Sequence, residues 1–278
     1  MLSLYFEPQY STARIIATKV IALMSITDDI YDVYGTSEEL QSFTQLIQRW
    51  DVNPALEHLK EYMKVQFQNI AKTFQHFEDE LSSFGTSYRV HYLKEIFKVV
   101  AKYWLEEVKW RDAGYIPALK DHLKVTTITT CYNLLTCASL IGMDGSATKE
   151  AFDWLLTFPK FTYHASVICR LRDDVTSQEL EQKRLHVASA VQCYMKEHNI
   201  TLEEANEALL EMVENEWKKM NQEYLSLSGV FSRNILMRVI NLSRVMETAY
   251  VVHDMYTHSS MIKHHISKLL VEPISLLL

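Results

Sequence analysis

SITDDIYDVYG (residues 25–35) gathers three aspartates, Asp28, Asp29 and Asp32, into five positions. The segment before it, ARIIATKVIALM (13–24), spaces its apolar residues by three and four, the period of a helix pressed into a core. Gly35 reads as the stop, and Thr36 with Glu39 as the capping box of the next helix, so the aspartates occupy the last two turns of the first one. That is the wrong end. The C-terminal carbonyls carry partial negative charge, which disfavours carboxylates there, as the carboxylates disfavour one another. The pattern therefore predicts a compensating cation from elsewhere in the fold.

The 278 residues are 48% apolar and contain only six Gly and five Pro. So little punctuation, with few strand or hairpin signals, predicts an all-α fold of long helices and short loops with a large core. A net charge of -7 without a basic stripe argues against a nucleic-acid partner and leaves room for a small phosphorylated ligand held through metal. The cysteines, Cys131, Cys137, Cys169 and Cys193, lack zinc-ligand spacing and fall inside helical patterns, so they read as small core residues of a reduced, intracellular protein. No run reaches the ~20 apolar residues of a membrane span, and MLSLYFEPQY resembles neither a signal nor a transit peptide. A soluble, cytoplasmic chain is expected.

Periodicity and breakers predict helices over 12–34, 37–49, 54–83, 87–112, 117–141, 147–157, 160–182, 185–198, 201–225, 229–254 and 259–273. No repeat or low-complexity tract interrupts them, so residues 1–278 are expected to form one domain.

A second acidic concentration lies in VICRLRDDVTSQELEQKR (167–184). At about 100° per residue, Asp173, Ser177 and Glu181 advance by only about 40° at each four-residue step, and Arg170 joins the same face one turn earlier. Asp174 heads a column continued by Gln178 and Gln182, neutral amides that serve a divalent cation less well, so Asp173 is the more coherent ligand. Arg172 points away and reads as structural. Either cluster alone reads most simply as a solvated helix face. The apolar approach to the first, and the pairing of hard oxygens with an arginine in the second, point to Mg²⁺ and a diphosphate held between two acidic walls.

DDIYD resembles the DDxxD motif of class I terpene synthases, and DDVTSQELE fits that family's second metal motif, Asn or Asp, then Ser or Thr, then Glu at four-residue intervals. The resemblance continues through YFEPQYS, QRWD (48–51), HVASAVQCYMKEH (186–198), NLSRV (241–245) and YTH (256–258), and is closest to the catalytic α-domain of plant sesquiterpene synthases. It implies a helical bundle around a central cavity, a prenyl diphosphate substrate, a monomer, and three Mg²⁺ ions with Mn²⁺ as a substitute. Asp28 and Asp32 would bind metal with support from Asp29; Asp173, Ser177 and Glu181 would hold a further ion; Arg170, and more weakly Arg184, would contact the diphosphate.

The same resemblance implies ionisation of farnesyl diphosphate to an allylic cation, which cyclises in an apolar, water-excluding pocket. The alternatives are a synthase that uses geranyl diphosphate and a truncated, non-catalytic helical protein resembling these synthases. Ile21, Met24 and Ser25 share the helix face leading to Asp28 and are expected to line that pocket. Thr129 and Thr130 resemble the family's helix break, whose carbonyls face the cation, and Tyr250, Asp254 and Tyr256 complete the expected lining. Three features depart from the family. The upstream Arg-x-Arg motif and the N-terminal helical domain have no counterpart, as in a truncated chain. YVVHDMYTH lacks the usual Gly before Tyr and is shorter, and Leu185 replaces a common Gly.

Overall fold

The computed structural model describes residues 1–50, 59–181, 186–251 and 254–273, with nothing said of the side chains of 179–181. Among these residues the chain forms helices and connecting turns without strands. The helices are α1 (Ser11–Asp29), α2 (Ser37–Arg49), α3 (Glu61–Ser82), α4 (Arg89–Asp112), α5 (Leu119–Thr129), α6 (Tyr132–Ile141), α7 (Lys149–Leu156), α8 (Lys160–Glu181), α9 (Ala190–His198), α10 (Leu202–Leu227), α11 (Arg233–Ala249) and α12 (Lys263–Leu270).

The centre of the bundle is α6. Every residue of YNLLTCASLI is buried, as an element without a polar face must be. Helices α1, α4, α8 and α11 pack around it. The approach of α1 is close enough that a Cβ on Gly142, just past α6, would lie 2.7 Å from the Ala13 Cα. A stack of rings, including Tyr31, Trp50, Phe74, Phe97 and Trp104, joins α2, α3 and α4 to the end of α1.

Two buried arginines replace the hydrogen bonds that turns lack. Arg89 donates to the carbonyls of Met143 at 2.7 Å and Ala147 at 2.8 Å, fixing the α6–α7 turn. Arg238 donates to Leu4 O at 2.7 Å and lies over the rings of Tyr5 and Tyr10, which seats the first ten residues against α11.

The predicted elements are present, with instructive differences at their ends. The expected helix over 117–141 is two helices, because Cys131 adopts φ 60°, a left-handed conformation that no α-helix continues through. The helix expected from 185 begins at Ala190, where Ser189 and Gln192 form a capping box. The helix expected over 229–254 runs from Arg233 to Ala249, Ser232 standing at its N-cap. The one expected over 54–83 is seen from Glu61, with residues 51–58 outside the described residues.

Candidate active site

The aspartate-rich end of α1 is irregular. From Ile30 to Tyr34 the helix widens into a π-turn, closed by Gly35 N donating to Ile30 O at 2.9 Å. Such turns are rare and concentrate at functional sites. The predicted cation is Arg111, at the end of α4, whose guanidinium donates to Tyr31 O at 2.9 Å and Asp32 O at 3.0 Å. Through these carbonyls it neutralises the helix terminus itself. Gly35 ends the turn for reasons of space, not positive φ: its φ is -86°, and an added Cβ would meet Leu40 Cδ2 at 2.5 Å.

A cavity of about 680 Å³ opens between α1, the α5–α6 junction, α8, α11 and the segment after Tyr250. That is ample for a drug-sized or prenyl-sized ligand. Asp28, Asp29, Arg170 and Asp173 contribute its polar surface, while Ile21, Met24, Leu135, Leu242, Met246 and Tyr250 contribute apolar surface. Ile21 stands about 10 Å along α1 from Asp28, so the apolar wall extends roughly a short isoprenoid's length from the carboxylates. Thr129, Thr130 and the left-handed Cys131 add a stretch of wall at the helix break. A hydrogen bond between the Ser25 and Tyr256 hydroxyls ties α1 to the C-terminal segment across this space.

The charges gathered here are mismatched. Burial pushes the Asp28 carboxyl well above the usual carboxylate range, and Asp32, Glu107 and Asp29 push it further against the pull of Arg170. Glu107 on α4 is raised to about 7, chiefly by burial and also by Asp32, although Arg170 and a 2.7 Å hydrogen bond from Thr129 oppose the rise. Asp174 behaves in the opposite way. Burial would raise it, but Arg170, His122 and the Ala190 amide outweigh that and hold it at about 2. Ser177 is buried, and its Oγ has no hydrogen-bond partner among the described residues.

This donor set fits a divalent cation. Carboxylates that raise one another's pKa lack positive charge, and a buried hydroxyl without a partner has a free lone pair. Among the described residues, no three His, Cys, Asp or Glu side chains close on one point as a ready cage. Mg²⁺ does not require one, since it keeps waters and takes only one or two carboxylates alongside substrate phosphate oxygens.

Of the residues singled out in the sequence, Ile21, Met24, Ser25, Asp28, Asp29, Thr129, Thr130, Arg170, Asp173, Tyr250 and Tyr256 line this one cavity. Asp32 and Ser177 are not lining residues, and His186 Nε2 donates to Asp32 Oδ2 at 2.8 Å. Asp254 is not a lining residue. It is buried, and its Oδ1 accepts from the amides of Tyr256 and Thr257, both at 2.9 Å, so it shapes the segment that carries Tyr256. The four cysteines are free, and Cys131, Cys137 and Cys193 are buried, as expected of small core residues; Cys131 and Cys169, which packs against the core, also border the cavity. Arg172 pairs with Glu247 at 2.7 Å, as its far-side position predicts. The Glu181 side chain and all of Arg184 lie outside the described residues.

Glu107 and His186 join the site without having been expected from the motifs. For Glu107 a signal exists in WLEEVKWR (104–111): Trp104, Glu107, Val108 and Arg111 follow at spacings of three and four, so two charges lie on a stripe that is otherwise core. His186 has no such signal, because it reaches Asp32 through tertiary structure alone.

An all-α bundle with a cavity edged by two facing acidic helices defines a recognisable class. Residues 1–219 match the terpene synthase family metal binding domain. The chain is 44% identical over 275 residues to sesquiterpene synthase 2 of Toona sinensis, covering 99% of this chain and 49% of that protein. It is 42% identical over 275 residues to (-)-germacrene D synthase of Vitis vinifera, with the same coverage of 99% and 49%. Isoprene synthase from grey poplar leaves (Populus x canescens), solved with three Mg²⁺ ions and dimethylallyl-S-thiolodiphosphate, superposes with a TM-score of 0.88 at 30% identity, over 99% of this chain and 52% of that one. Limonene synthase with 2-fluorolinalyl diphosphate gives 0.91 at 29% identity, over 98% and 50%. This chain therefore belongs to the terpene synthase family. It spans about half the length of the curated relatives it matches. None of its described helices is long and apolar enough to cross a membrane.

Proposed function

We propose that residues 1–278 are the catalytic domain of a Mg²⁺-dependent sesquiterpene synthase, which ionises farnesyl diphosphate and cyclises the resulting cation. The observation that carries this reading is the cavity itself: carboxylates on α1 and α8 flank Arg170 at its edge, and apolar side chains continue from them along α1 and α11. Asp28 and Asp32 on one side, and Asp173, Ser177 and Glu181 on the other, would hold the metal, with Asp29 and Glu107 adding negative charge. A bound divalent cation supplies positive charge to the departing diphosphate.

The chain's own residues do the rest. Arg170, at the cavity edge, donates to the diphosphate oxygens as charge develops on them. Ile21, Met24, Leu242 and Met246 fold the hydrocarbon chain and exclude water from the allylic cation. The ring of Tyr250 and the carbonyls at the Thr129–Thr130 break offer negative potential to the migrating charge. Tyr256, tied to Ser25, closes the cavity from the C-terminal side.

Gas chromatography with mass spectrometry tests this reading on the chain given farnesyl diphosphate, with Mg²⁺ and with chelator. A hydrocarbon formed only with Mg²⁺ is the expected result, and no product under either condition would overturn it. A product from geranyl diphosphate alone would shorten the substrate without changing the chemistry. A lengthened diphosphate after addition of isopentenyl diphosphate would replace the cyclase with a prenyl transferase.

A further inference from the structure

Asp174 belongs to a DD pair, yet it does not face the cavity. Its carboxylate is 1% exposed and lies where three elements meet. Oδ1 accepts from Arg170 Nη1 at 3.0 Å; Oδ2 accepts from the Ala190 amide at the start of α9, and His122 Nε2 of α5 approaches the same oxygen at 3.5 Å. Neighbouring Asp173, by contrast, lines the cavity, and its contact with Arg170 is the looser one at 3.6 Å. His122 is itself 1% exposed, and among the described residues neither ring nitrogen has a hydrogen-bond partner at normal distance. A buried imidazole left so poorly satisfied carries a cost that an apolar residue would avoid.

We propose that Asp174, braced by His122, is a positioning residue for Arg170: it holds the guanidinium at the cavity edge so that its remaining N–H groups address the diphosphate, and it is not a metal ligand. The inference rests on the reading of the cavity as a diphosphate site. Its physical basis is pre-organisation. A long arginine side chain left to itself loses rotamer freedom when it binds, whereas one already fixed by a buried carboxylate has lost most of it on folding. The i, i+4 spacing of Arg170 and Asp174 on α8 makes that clamp local. The Ala190 amide occupies the second oxygen and His122 approaches it from α5, so both oxygens of the carboxylate are engaged. Because α5 ends at the Thr129 break, the same clamp keeps the carbonyl wall and the arginine in one frame.

Isothermal titration with inorganic diphosphate in Mg²⁺, beside a Mg²⁺ titration of turnover, tests the assignment on the chain and on Asp174→Asn, His122→Phe, His122→Gln and Asp173→Asn. Diphosphate is expected to bind about 10- to 100-fold more weakly to Asp174→Asn and, less severely, to His122→Phe, with KM rising by a similar factor. His122→Gln, which keeps a donor, should recover most of the loss, and the Mg²⁺ midpoint should move only in Asp173→Asn. A Mg²⁺ midpoint shifted by Asp174→Asn as much as by Asp173→Asn would make Asp174 a ligand and overturn the proposal. Parent-like diphosphate affinity in His122→Phe would also overturn it, even if Asp174→Asn fails to fold. Absence of diphosphate binding by the parent chain would reject the reading of the cavity together with this inference, whereas equal binding by parent and variants rejects this inference alone.

Discussion

Arg111 donates to the main-chain carbonyl of Asp32 at 3.0 Å, while the carboxylate of the same aspartate accepts from His186 at 2.8 Å. A helix that ends in aspartates needs positive charge at its terminus, and the carbonyls of Tyr31 and Asp32 are where Arg111 delivers it. The terminus is satisfied through its main chain, and the carboxylates stay concentrated at the mouth of the cavity.

Replacing Arg111 with Met should therefore unfold the end of α1 before it disturbs anything else. Two charge-assisted hydrogen bonds to largely buried carbonyls are lost, and the expected destabilisation is about 1.5–3 kcal/mol. Chemical denaturation of parent and variant would show it as a lower midpoint at unchanged slope.

Gly142 tests the closeness of α1 to the central helix. An alanine there would place its Cβ 2.8 Å from the Ala13 backbone nitrogen, and a main chain cannot move aside as a side chain can. Gly142→Ala is expected to cost about 1–3 kcal/mol by overpacking. A thermal melt equal to that of the parent would contradict so close an approach of α1 to α6.

Glu107 predicts a pH dependence in the metal-free chain. With a folded pKa of about 7 against an ordinary value of 4.5, it binds a proton in the folded state that the unfolded state has already released. Stability should accordingly fall as pH rises from about 4.5 to about 7. Glu107→Gln removes this contribution, so the difference between its stability profile and the parent's, measured in chelator, should grow across that window and level off above it.

Asp28→Ala and Asp173→Ala should each lower turnover by orders of magnitude while circular dichroism stays that of the parent, because both carboxylates line the cavity and neither fills the core. Unimpaired turnover in both variants would reject the metal assignment.

The helical architecture is legible from spacing alone, and α2 begins and ends where its capping box and its apolar period predict. Elements depart from their expected ends where a single backbone conformation intervenes. Cys131 at φ 60° breaks a segment whose apolar pattern runs on undisturbed, since side-chain periodicity carries no information about one residue's φ. The acidic residues of both motifs are legible because helical spacing puts them on one face. Asp254 misleads because a loop aspartate that caps its own backbone looks in sequence like one that faces a ligand.

By itself, the sequence determined the all-α class, the two acidic helix faces and the apolar approach to the first of them, all of which follow from the 3.6-residue period of one helix. The same period ranked Asp173 over Asp174 as the residue facing the cavity, whereas tertiary structure alone decided that Asp174 is held by Arg170 and Ala190 with His122 beside it. Tertiary structure also decided that Arg111 and His186 come from distant segments to the Asp32 turn. The physical reason is range. Spacing along a helix fixes directions within that helix, whereas charge compensation and desolvation depend on what the folded chain brings within a few ångströms, and neighbours in sequence do not reveal it.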